Sequence, residues 1–108
     1  MSSHGNSNDN NQEHHIYEIY DREFKNVYKY GESGKPLTKD GNSPRGILQA
    51  RELNRAVRWP RFLCRVLLTG ISGKAEAKRI EQEFIDAYEA MHGQVPPGND
   101  TSETWIEE

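Results

Sequence analysis

The chain has a single cysteine, Cys64, among 108 residues, so no disulfide framework holds it together. Cys64 sits inside the apolar run Phe62 to Leu68, where a small buried thiol is the expected state. No cysteines and histidines have the paired spacing of a structural zinc site, and His14-His15 beside a polar tail is a weak metal signal. Long hydrophobic runs are missing too. No segment has the length and apolarity of a membrane span, and the amino terminus lacks the apolar centre of a signal peptide, so a soluble chain is expected. Met1 to His14 contains no apolar residue after Met1, which leaves it nothing to bury. Residues 1–14 are therefore expected to be a disordered polar segment. Residues 100–108 form an acidic tail with four acids and no base. Between these flanks, residues 15–99 are enough for one small domain.

What is present is concentrated. The net charge is −3, yet six of the eight arginines (Arg45, Arg51, Arg55, Arg58, Arg61 and Arg65) fall between Pro44 and Arg65, with Glu52 the only acid among them. A block of this kind suits phosphate, and it also suits a plain solvated helix face.

Ile16, Tyr17, Ile19 and Tyr20 make His15 to Tyr20 a strand, and Val27 to Ser33 reads as a second. The few residues between them suffice for a hairpin and are too short for a parallel crossover. Gly34 to Ser43 is rich in turn signals, and a loop of that length invites a functional role. A helix should start with Ser43 as its cap and Pro44 in its first turn, and should stop near Trp59 because Pro60 follows. Phe62 to Thr69 reads as a third strand, central or well covered. A second helix should run from Gly73 to His92 and close at Gly93. The expected fold class is α+β: a small three-stranded antiparallel sheet flanked by helices, in the order β-β-α-β-α.

The second helix holds the sharpest anomaly. Ala77, Ile80, Phe84, Ile85, Tyr88 and Met91 recur at the spacing of a half-buried face, and Glu81 lies inside that stripe. A carboxylate there must meet a cation, be neutralised, or reach out to water. Glu81 is thus a candidate metal ligand.

His15-Ile16-Tyr17, Val27-Tyr28-Lys29-Tyr30-Gly31-Glu32-Ser33, an arginine-bearing helix, Ile80-Glu81-Gln82-Glu83-Phe84-Ile85 and Asn99 together resemble the GIY-YIG nuclease superfamily in order and spacing. Within it, Lys29 to Gly34, Ile71-Ser72-Gly73 and Gly93 to Asn99 look like segments of toxin domains at the carboxyl ends of bacterial polymorphic secreted proteins. The resemblance implies that Tyr17 lies at the scissile phosphate as a general base, and that Glu81 binds a divalent ion, Mg²⁺ or Mn²⁺. It implies a phosphate-binding arginine on the first helix, for which Arg51 is the choice and Arg45 the competitor. Asn99 matches the asparagine that closes the motif set. Departures occur at His15, where the family has glycine, and at the second motif, where Lys29 stands in the tyrosine position. Either Lys29 acts at the phosphate, or a bulge turns Tyr30 inward. Arg55 and Arg58 are candidate substrate contacts, and Lys29 a candidate for lowering the Tyr17 pKa.

The implied activity is metal-dependent endonuclease cleavage of nucleic acid, DNA favoured over RNA, by a bacterial antagonistic toxin. Such a toxin is secreted by a dedicated system or as part of a larger protein and acts in the target-cell cytoplasm. A cognate immunity protein with an acidic surface is the expected partner. The alternatives are a non-catalytic nucleic-acid-binding module of the same fold and an endonuclease that is not a toxin.

Overall fold

The structure is a computed structural model that describes residues 12–100. The elements run β1 (Glu13–Asp21), β2 (Asn26–Ser33), α1 (Pro44–Val57), β3 (Phe62–Ser72), α2 (Lys74–His92) and a short 3-10 turn (Pro97–Asn99). The expected class and order hold: both strand pairings are antiparallel, and the sheet order is β2-β1-β3.

The sheet order follows from two adjacent side chains on β1. Ile16 joins Ile71 and Ala77 in one core, while Tyr17 joins Ile19, Ala50, Phe62 and Cys64 in the other. Both side chains are almost wholly inaccessible, so β1 is buried on both faces and must be central. This corrects the expectation for the third strand. β3 is an edge, with Phe62 and Cys64 turned inward and Leu63 and Leu68 respectively 37% and 42% exposed. It also carries extra residues around Leu67 and at Thr69-Gly70, where Gly70 takes a φ of +72°. Bulges of this kind twist an edge away from foreign strands. The other edge, β2, is covered by the 3-10 turn, where Asn99 accepts from the Tyr30 amide at 2.8 Å and donates to the Tyr30 carbonyl at 3.0 Å.

Helix α1 begins as the sequence indicates. Ser43 is the cap, its hydroxyl accepts from the Gly46 amide at 3.2 Å, and Pro44 fills the first turn. His15 reaches the same hydroxyl at 2.8 Å and so ties the cap to β1. The helix ends at Val57, two residues earlier than expected. Arg58 adopts a left-handed φ of 70° and closes the last turn through its amide to the Asn54 carbonyl. Helix α2 is framed by Gly73 and Gly93, both at positive φ. Its apolar stripe serves the sheet only as far as Tyr88. Met91, placed in that stripe by spacing, is 78% exposed.

Residues 1–11 and, of the acidic tail 100–108, all but Asp100 lie outside the described residues. Glu13 and His14 do not belong to a structureless flank: they are in β1, and His14 is buried against Glu32 at 2.9 Å. Among the described residues no helix is long and apolar enough to cross a membrane.

Candidate active site

Tyr17 is fixed from three sides. Its ring lies against the backbone of Gly31, its register partner on β2, and against Gly46 in the first turn of α1. A Cβ at either glycine would collide with the ring, so both positions need a residue without a side chain. The hydroxyl donates to Gln49 Oε1 at 2.9 Å. Burial pushes this phenol up to about 12, and the Arg45 guanidinium offsets only part of that effect. Arg45 is thus the cation that acts on Tyr17, a role the sequence reading had given to Lys29. Gln49 was not anticipated at all. A single glutamine on a helix has no sequence signal, and only the distance to Tyr17 reveals it.

Lys29 shares this face of the sheet by simple alternation, opposite Ile19 and two residues from Gly31, and the strand bulges only beyond it. Ile19 pairs with Lys29 and Tyr20 with Val27, so Tyr28 is the extra residue. The Tyr28 ring packs on Phe62 in the α1-side core, and Gly98 of the 3-10 turn lies close against Tyr28 and Lys29. The bulge therefore redirects Tyr28. Tyr30 stays on the α2 side, with its ring centroid 5.2 Å from that of Phe84. Burial, then the charges of Arg45 and Lys78, pull the Lys29 ammonium below its ordinary range, with Glu81 opposing.

Glu81, on α2, acts electrostatically on Tyr17 and on Lys29. Its side chain is only 17% exposed, and its cationic neighbours include Lys78 at 3.9 Å. Burial, reinforced by Glu32, raises its carboxyl, while Lys78, Lys29 and Arg45 pull it down. Four sequence-predicted residues, Tyr17, Lys29, Arg45 and Glu81, therefore share one electrostatic environment.

The remaining candidates separate. Arg51 is exposed on α1, along a groove of about 680 Å³ that it lines with Lys35, Thr38, Arg45 and Leu48. Arg55 is exposed and pairs with Glu52 at 3.5 Å, and Arg58 is the exposed helix cap. Arg61 and Arg65 leave the basic block: Arg61 grips Asp21 through two 2.8 Å hydrogen bonds, and Arg65 pairs with Glu18. Asn99 contacts the backbone of Tyr30 and braces the strand that carries Lys29. Cys64 is buried, and its thiol is pushed up to about 11 by desolvation, as a structural cysteine should be.

With this geometry in hand, comparison with protein families is decisive: the model of a family described as URI fold toxin 2 matches residues 7–93. The chain belongs to that family. It is a polymorphic toxin domain of the URI, or GIY-YIG-like, nuclease fold, a class whose members are typically nucleases and whose toxin role implies delivery into target cells. No curated protein and no solved structure matches it.

The nuclease fold of this toxin domain implies a divalent metal. Among the described residues no three histidine, cysteine or carboxylate groups form a metal cage. Glu81 nevertheless fits a hard cation. It is a sheltered carboxylate whose ion-pair partner Lys78 stands off at 3.9 Å, and Mg²⁺ or Mn²⁺ held by one carboxylate keeps most of its waters and leaves positions for phosphate oxygens.

Proposed function

We propose that this toxin domain is a divalent-metal-dependent endonuclease that hydrolyses phosphodiester bonds in the nucleic acid of the cell it enters, with DNA the favoured substrate. The observation that carries the reading is that Arg45 and Glu81, from α1 and α2, both act electrostatically on Tyr17 of β1 and on Lys29 of β2.

Each residue has a distinct task in this reading. Arg45 is the phosphate-binding arginine, since it adjoins Tyr17, and its planar fork suits a phosphate oxygen. Arg51 and Lys35 extend that positive surface along the groove beside α1, and Arg58 adds a charge at the helix end, holding the backbone on either side of the cleaved bond. Glu81 holds the metal, which supplies charge stabilisation at the phosphoryl oxygens when bound. Tyr17 stays a neutral phenol in this reading: at about 12 it keeps its proton at neutral pH, and its buried hydroxyl, donating to Gln49, acts by positioning that glutamine and not by taking a proton. Lys29 is the better acid of the two. A buried ammonium pulled below its ordinary range can stabilise the phosphate and pass a proton to the leaving oxygen. Asn99 acts through the β2 backbone, and Tyr30 packs beside it on the α2 side.

The domain would be delivered by a dedicated system or within a larger protein. An immunity protein with an acidic face is the partner suited to its unpaired arginines. Incubation of plasmid DNA and of total RNA with wild type and Glu81→Ala, with and without Mg²⁺, tests the central assignment. Cleavage by wild type alone, and only with metal, is expected. Intact DNA and RNA under every condition overturn it in favour of a binding module of the same fold.

A further inference from the structure

Lys78 has a place at this site that no motif assigns. It stands one turn before Glu81 on α2, and its Nζ lies 3.9 Å from Glu81 Oε1 and 3.5 Å from Glu32 Oε2. Glu32 is a firm anchor. Its side chain is 8% exposed, its Oε1 is held by His14 Nδ1 at 2.9 Å, and the His14 ring is backed by Gly34, where a Cβ would be in conflict. Lys78 itself is more than half exposed, so it bridges two sheltered carboxylates while remaining free to swing into solvent. Neither separation is that of a tight ion pair, and a loosely held ammonium is easily displaced.

We propose that Lys78 is a built-in counter-ion for Glu81: it occupies the cation position between Glu81 and Glu32 until a divalent ion displaces it. This rests on the assignment of Glu81 as the metal ligand. In the metal-free protein the ammonium spans the gap between the Glu81 and Glu32 carboxylates. It also competes with the incoming ion, so metal affinity is held below what the two carboxylates alone would give. Lys78 is in this sense a positioning residue.

Binding of Mn²⁺, followed by the electron paramagnetic resonance signal of the free ion, tests the proposal without reference to cleavage. Lys78→Met should tighten binding by about two- to fivefold, the scale of an exposed ion pair. Lys78→Arg, which keeps the charge, should stay at the wild-type value. Glu32→Gln should weaken binding, and it supplies an independent reading if Lys78→Met disturbs α2. Lys74→Met removes a charge from the same helix at an exposed position without such contacts, and should leave affinity unchanged. Unchanged or weaker binding by Lys78→Met overturns the proposal, as does an equal gain from Lys74→Met. Glu81→Gln separates the two levels: if it binds Mn²⁺ like wild type, the metal assignment itself fails, whereas loss of binding there with no effect of Lys78→Met sinks the counter-ion alone.

Discussion

Two charged clusters sit at different places on the same sheet, and they are built on opposite principles. At the hairpin end, Asp21 receives two hydrogen bonds from Arg61 and two more from the amides of Glu23 and Phe24, and the Arg61 guanidinium lies against the rings of Phe24 and Phe62. Both charges of this pair are answered, and Arg61 lowers the Asp21 carboxyl. At the site, Lys29 lies near Arg45 and Lys78, Glu81 lies near Glu32, and the dominant effect on each is burial. Arrangements that satisfy their charges build folds; those that leave charges crowded and half-answered store the potential that chemistry uses.

The largest test of this contrast is to remove one member from each cluster. Glu81→Ala should lower cleavage by about a thousandfold and Arg45→Ala by about a hundredfold, on the scale of lost transition-state charge stabilisation. Neither should lower Tm, because neither side chain is answered by a close opposite charge. Arg61→Leu should behave in the reverse way: Tm falls by about 5 °C, with cleavage per folded molecule within about twofold of wild type. A stability loss for Arg45→Ala equal to that of Arg61→Leu would erase the distinction.

A smaller effect separates the arginines that stay unpaired. Arg51→Ala and Arg58→Ala should each weaken nucleic-acid binding a few-fold and reduce the slope of log affinity against log salt by about one, the signature of one lost phosphate contact. Arg65→Ala should leave that slope alone, because Arg65 already holds Glu18 and covers the Tyr20 ring.

These differences mark how far the sequence could be read. Ser43 with Pro44, and Gly93 after His92, fixed helix ends because capping is local chemistry, and the hairpin followed from its short connection. The position of β3 was not legible: an apolar run looks the same at an edge as at the centre, and only the pairing of β1 on both sides decides. The anomaly at Glu81 was visible as a break in helical spacing. Lys29 was visible too, because strand alternation alone sets it on the Tyr17 face, whereas Gln49 and Lys78 act through single side-chain contacts that leave no mark in the sequence. The arginine block looked uniform in sequence. Its division is set by the element each arginine falls on: Arg61 and Arg65, at and in β3, reach Asp21 and Glu18 of β1, whereas those on α1 face solvent.

The finest test uses the opposite signs of the two carboxylates. Asp21 has a folded-state pKa below its unfolded value, so the stability it provides is present above the ordinary carboxylate range and is lost as pH falls through the folded value. Glu81 is raised. Its ionisation therefore costs stability above its folded-state pKa, and that cost vanishes as pH drops below the ordinary value. Asp21→Asn should flatten the acid limb of a Tm against pH curve and lower its neutral plateau. Glu81→Gln should raise the plateau by about 2 °C, a small figure because the group is partly screened by solvent, while abolishing cleavage. A rise in stability joined to a loss of activity at one residue is what a charge retained for chemistry should give. A fall in Tm for Glu81→Gln would mean that the carboxylate belongs with Asp21, as a structural partner of Lys78.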